Sequence, residues 1–169
     1  MKTKNMISTT MVVFFSVLVL LVSAGPSPAG EYKALQGADS VDTVFDFREG
    51  DPAGALVHLS LAHETFTDKA IQDVSEKPRF VVVFMGEAVK LLSSDRSAFT
   101  EEQRKTLEKM DNIISKMARD GIKLEVCLYA VDFFGVDPES ISPEIDVVPN
   151  GWISSIGYQT KGYALVPIY

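Results

Sequence analysis

The chain has 169 residues, with 16 Lys and Arg against 23 Asp and Glu for a formal net charge of −7. Its basic residues are scattered (Lys77, Arg79, Arg104, Lys105, Arg119) with no long run. That argues against nucleic acid and anionic membrane surfaces as partners, because phosphate binding needs a concentrated basic surface.

The first thirty residues follow their own rules. Lys2 and Lys4 precede an apolar run from Met11 to Val22, and Ser23-Ala24-Gly25-Pro26 follows it. A basic start, a short apolar core and a small-residue zone form the pattern of a secretory signal. The run is shorter than the ~20 residues that cross a bilayer comfortably. Cleavage fits after Ala24 or after Ala29, and an uncleaved N-terminal membrane anchor is the alternative. No Cys ends the run, which excludes a lipid-modified N-terminus. Residues 1–29 are therefore read as signal peptide and short linker, and residues 30–169 as a single exported domain. The periplasm is the expected destination, with no membrane insertion after cleavage. A domain of roughly 140 residues can bury a full core without disulfides or metals.

From Val41 onward, short β-branched or aromatic runs alternate with helical patterns. The first strand is Val41 to Phe47; Asp51 can cap the helix that follows and Pro52 suits its first position. That helix carries Leu56, Leu59, His63 and Phe66 at apolar-stripe spacing. The second strand, Arg79 to Met85, is continuously apolar, as a strand covered on both faces must be. Gly86 turns the chain into a short helix over Glu87 to Leu92. A longer helix opens at Thr100, where Thr100 and Gln103 match a capping box, and Leu107, Met110, Ile114 and Met117 form its buried stripe. Gly121 stops it. The third strand, Ile122 to Cys127, runs directly into a helix ending at Gly135, and Asp137-Pro138 starts another short helical turn. A fourth strand covers Ile145 to Val148. Asn150 caps a helix from Gly151 to about Lys161, and Tyr163 to Ile168 is the last strand. Repeated β-α alternation with short links predicts a three-layer α/β/α domain around a mostly parallel five-stranded sheet.

Ligand sites in such sheets collect at the carboxyl ends of strands, beside helix N-termini. Cys127, the single cysteine, is expected there. The following helix would offer free N–H groups and a partial positive charge, both favouring thiolate over thiol. Such a sulfur could attack a sulfur donor, carry a persulfide or bind a soft metal. The competing reading is that Cys127 packs as a small hydrophobe, since free Cys is among the most buried residue types. Asp46, Glu49, His63 and Gly86 are the candidate surroundings of the thiol. Asp46, Glu49 and Asp51 cluster after the first strand, where a capped helix start would also explain them. His58 and His63 lie about 140° apart around a helix, so they form no metal site by themselves. His63, on the apolar stripe, reads first as a hydrogen-bonded core residue. No Walker loop, dinucleotide fingerprint or G-x-S-x-G elbow occurs, and neither cofactor nor metal is expected.

Three stretches together resemble the DsrE/DsrF-like family, also called the YchN-like fold. They are Val81 to Leu92, a strand followed by Gly86, Ala88, Val89 and Leu92; Gly121 to Cys127 with Ala130 and Gly135-Val136, a strand ending in cysteine; and Val148 to Tyr163, the closing helix and start of the last strand. The resemblance implies a parallel domain that assembles into homo-oligomers. Some cytoplasmic members relay sulfur as a persulfide on the strand-end cysteine, the position of Cys127. By that likeness, Cys127 is the sulfur carrier, and its partners are a thiol protein or a small sulfane-sulfur compound. The rival is a non-enzymatic binding or assembly module with a structural cysteine.

Overall fold

The structure, a computed structural model, describes residues 32–169. The expected signal segment and its expected cleavage points lie outside the described residues. Five strands form: β1 (Asp42–Phe47), β2 (Arg79–Phe84), β3 (Lys123–Cys127), β4 (Asp146–Val148) and β5 (Ala164–Ile168). They pair in the order β4-β3-β2-β1-β5, and every pair is parallel, so the sheet is wholly rather than mostly so.

The helices are α1 (Pro52–Thr67), α2 (Lys69–Val74), α3 (Glu101–Arg119), α4 (Leu128–Phe133) and α5 (Gly151–Thr160). Asp51 accepts hydrogen bonds from the Ala53 and Gly54 N–H groups at the start of α1. Both bonds of the expected capping box open α3, between Thr100 and Gln103. The α3 stripe is as expected, with Leu107, Met110, Ile114 and Met117 all buried. The α1 stripe is rotated from the expected one. Ala55, Leu59, Ala62 and His63 are buried, while Leu56 and Phe66 are only partly so. Small alanines let α1 sit close to its neighbours, a preference that apolar size alone does not report. Helix α2, capped by Asp68, is too short to show a period. The segment Gly86–Leu92 is a 3-10 helix.

Successive residues of a strand face opposite sides, so each row across the sheet belongs to one layer. The row Asp46, Val83, Glu125 faces α5, because Glu125 receives hydrogen bonds from Ser154 and Tyr158 of that helix. The intervening residues face α1 and α3; Phe80 packs edge-on against Phe66 of α1. Helices thus cover both faces. Full burial of Val44, Phe47, Val82, Val83, Phe84 and Val126 follows from that double cover.

Glu125 fastens α5 to the sheet. It is buried, with Tyr158 Oη at 2.6 Å, Lys123 Nζ at 3.0 Å and Ser154 Oγ in contact. Burial pushes its carboxyl up, but the bonds from Ser154, Tyr158 and Lys123 outweigh it and hold the group below its ordinary 4.5. Tyr158 is pushed up to about 12, by burial first and by Glu125 second. A carboxyl with a folded pKa below the unfolded one stabilises fully above the unfolded value, and that stability is lost as pH falls through the folded value. Urea midpoints should therefore drop as pH falls below 4.5, and drop less in Glu125→Gln than in wild type. Equal acid sensitivity in the two proteins would refute this role for Glu125.

Candidate functional site

The pairing register carries three side chains to one place. Phe47 pairs with Phe84 and Phe84 with Val126, so Arg48, Met85 and Cys127 follow side by side at the carboxyl edge. The Met85 N–H donates to Phe47 O at 2.8 Å and the Arg48 N–H to Ile168 O at 2.8 Å, which carries the ladder to the strand ends. By strand alternation these three belong to the α5 face. Gly86 then turns the chain at φ 56°, a backbone that favours glycine.

Cys127 is 5% exposed and immediately precedes α4, whose first turn it does not cap with its sulfur. The start of α5 presses on it from above. A Cβ added to Gly151 would stand 2.6 Å from Met85 Sδ and 3.0 Å from Cys127 Cβ, so any side chain here would have to displace Met85 and crowd Cys127. Asn150 caps α5 by accepting the Trp152 N–H at 2.9 Å. Cys127 therefore packs against the N-terminus of a ten-residue helix, where N–H groups and partial positive charge concentrate.

Cys127, Met85 and Arg48 line a groove of about 370 Å³. Its other walls are mainly aromatic: Tyr129, Phe133 and Phe134 beyond Cys127, and Trp152 from α5. Arg48 is the charged lining residue. Its Nε and Nη2 donate to the two carboxylate oxygens of Asp46 at 2.8 and 3.0 Å. The Asp46 bonds hold the guanidinium above its ordinary value against the opposing effect of burial, with smaller contributions from Tyr169 and Cys127. A bidentate carboxylate fixes the plane of an arginine. Among the described residues, Arg48 Nη1 has no hydrogen-bond partner.

The sequence-derived surroundings divide in two. Gly86 lines the groove, and Asp46 reaches it through Arg48. Glu49 does not join them: it accepts the Asp51 N–H at 2.8 Å, lies 4.0 Å from His58 Nδ1 and packs beneath Gly54, serving the start of α1. His63 is farther away. Its Nε2 is 2.6 Å from Asp120 Oδ2, just before β3 begins, whereas Cys127 ends that strand. A five-residue strand of roughly 13 Å separates those positions, so His63 ties α1 to α3 rather than lining the thiol site. Among the described residues no three His, Cys, Asp or Glu side chains converge as a metal site. Arg48, Met85, Asn150 and the aromatic walls are additions of the structure. One signal for Arg48 was present, its place two residues after Asp46 on the same strand face.

The DsrE/DsrF-like family model matches residues 17–168. The chain belongs to that family. The DsrE/DsrF-like family is associated with sulfur relay. An uncharacterized protein of Aquifex aeolicus is 26% identical over 131 residues, covering 77% of this chain and 57% of that protein, so the match spans little more than half of the relative. Two solved structures share the fold. A protein of unknown function from Methanobacterium thermoautotrophicum matches with TM-score 0.58 and 22% identity, over 76% of this chain and 99% of that one. One from Bacteroides thetaiotaomicron, also of unknown function, matches with TM-score 0.54 and 17% identity, over 75% and 94%. Both identities are low enough that the likeness speaks to fold alone.

The Gly151 contact makes a direct prediction. Gly151→Val should destabilise by about 1–3 kcal/mol, the usual cost of overpacking, measured by urea unfolding. The loss should shrink in a Met85→Ala background, because Met85 is the nearest obstacle. Additive effects would contradict the contact.

Proposed function

We propose that this DsrE/DsrF-like protein handles sulfane sulfur through a persulfide on Cys127. The observation that carries the reading is the place of the thiol: on the floor of an open groove, beside Arg48 and under the start of α5. In the proposed step, the Cys127 thiolate attacks the terminal sulfur of a donor persulfide, R–S–S⁻. A new S–S bond forms at Cys127, the donor S–S bond breaks, and its electron pair leaves with R–S⁻. The reverse step on an acceptor thiolate returns Cys127 to its starting state. The N–H groups at the start of α5 stabilise the sulfur anions on both sides of the exchange.

Export to the periplasm is part of the same proposal and rests on the leader pattern of residues 1–29. Self-association is a further part. Its support is apolar side chains standing in solvent, among them Ile153 and Ile156 of α5 and Val57 and Leu61 of α1. Light scattering after gel filtration should give a multiple of the chain mass, and a monomer at all concentrations would contradict this part.

A second reading has its own observation. Cys127 is 95% buried (5% exposed), and Tyr129, Phe133 and Trp152 leave large faces in solvent, as a binding or assembly module would. The two readings separate cleanly. Incubation with a sulfane-sulfur donor should add about 32 Da, one sulfur atom, to the intact mass. The gain should vanish on reduction and be absent in Cys127→Ser. No adduct on wild type would favour the module.

A further inference from the structure

The groove holds more than a thiol, and its remaining walls define a ligand. We propose that it accepts an organic monoanion bearing the sulfane sulfur, an aryl or alkyl thiosulfonate (R–SO2–S⁻), in preference to inorganic thiosulfate. This deepens the persulfide reading and rests on it for the chemical step.

Two features carry the inference. First, Arg48 is presented as an oriented donor. Asp46 occupies Nε and Nη2 and cancels much of the charge, leaving Nη1 to donate to one further oxygen. A neutralised, directional donor suits a singly charged sulfonyl group better than a compact dianion, whose removal from water costs far more. Second, Tyr129, Phe133, Phe134 and Trp152 wall the same groove, so the body of the ligand meets aromatic surface. A volume of about 370 Å³ lies at the lower end of small-ligand pockets. Thiosulfate would leave those aromatic walls to water, whereas an aryl or alkyl group would cover them.

The ligand then places itself. Its sulfonyl oxygens lie at Arg48, its organic group between Phe133 and Trp152, and its terminal sulfur at Cys127. The thiolate attacks that sulfur: Cys127–S⁻ + R–SO2–S⁻ gives Cys127–S–S⁻ + R–SO2⁻. One S–S bond forms and one breaks, the electron pair leaves on the sulfinate, and total charge is unchanged. No further oxidant or reductant is needed. The sulfinate remains an anion that Arg48 can hold.

Trp152 is the single tryptophan and lines the groove, so its fluorescence reports occupancy without any reaction. Benzenesulfinate titrated into the Cys127→Ser protein should change that fluorescence saturably. The response should weaken about tenfold or more in Arg48→Gln. Phe133→Ser, at a residue 74% exposed whose loss leaves the core intact, should weaken it as well. In wild type, benzenethiosulfonate should form the reducible adduct at about tenfold lower concentration than thiosulfate, given the added aromatic contact. A saturable response with no adduct from either donor would remove the persulfide step and leave the ligand class standing. Adduct from thiosulfate at equal or lower concentration, or a fluorescence response untouched by both substitutions, would overturn the ligand class.

Discussion

Between β4 and β5 the chain must cross the whole sheet, because β5 lies beyond β1 at the opposite edge. Crossovers between parallel strands are right-handed almost without exception. The earlier steps, β1 to β2 to β3, advance in one direction and leave α1 and α3 together on one face. The return step runs the other way, so its helix, α5, falls on the opposite face. Handedness therefore assigns α5 to the side where Asp46, Glu125 and Cys127 point. Glu125 fastens the helix in mid-course, and Gly151 lets its first turn settle on Met85 and Cys127. The groove is what remains between that first turn, the strand ends and α4.

The architecture was legible because its signals are periodic. A run such as Phe80 to Phe84 fits only a doubly covered strand, and the α3 stripe could be read residue by residue. Cys127 was legible as a strand-end residue by the same means. Its neighbours were harder, since they meet through register. Arg48 and Cys127 are far apart in sequence and become row-mates only after β1, β2 and β3 have paired. Glu49 and His63 were drawn toward the thiol by residue type, yet each has a partner elsewhere that spacing does not reveal. His63 is bound to Asp120 at the other end of β3, and Glu49 is spent on the turn into α1. The rotated stripe of α1 has a similar cause, because Ala55 and Ala62 are buried by closeness rather than by size.

The site combines features that pull in different directions. Burial keeps Cys127 out of bulk water and resembles core packing. The start of α5, the guanidinium of Arg48 and the open groove are the features on which the proposed ligand site rests. Arg48 is itself tempered by Asp46, so the groove is polar at one point and aromatic elsewhere rather than strongly cationic. A thiol in such a place is mostly buried, yet its residue lines the groove. That combination would suit the proposed persulfide carrier, which has to meet its donor and avoid indiscriminate oxidation.

Accessibility of Cys127 in the native state is thus the claim on which the functional account turns. The direct measurement is the rate of alkylation of the native protein by a small reagent at neutral pH, set beside the rate of global unfolding under the same conditions. The account predicts labelling much faster than unfolding, with a rate that rises with reagent concentration. Labelling limited by the unfolding rate would contradict it and leave Cys127 as part of the packing.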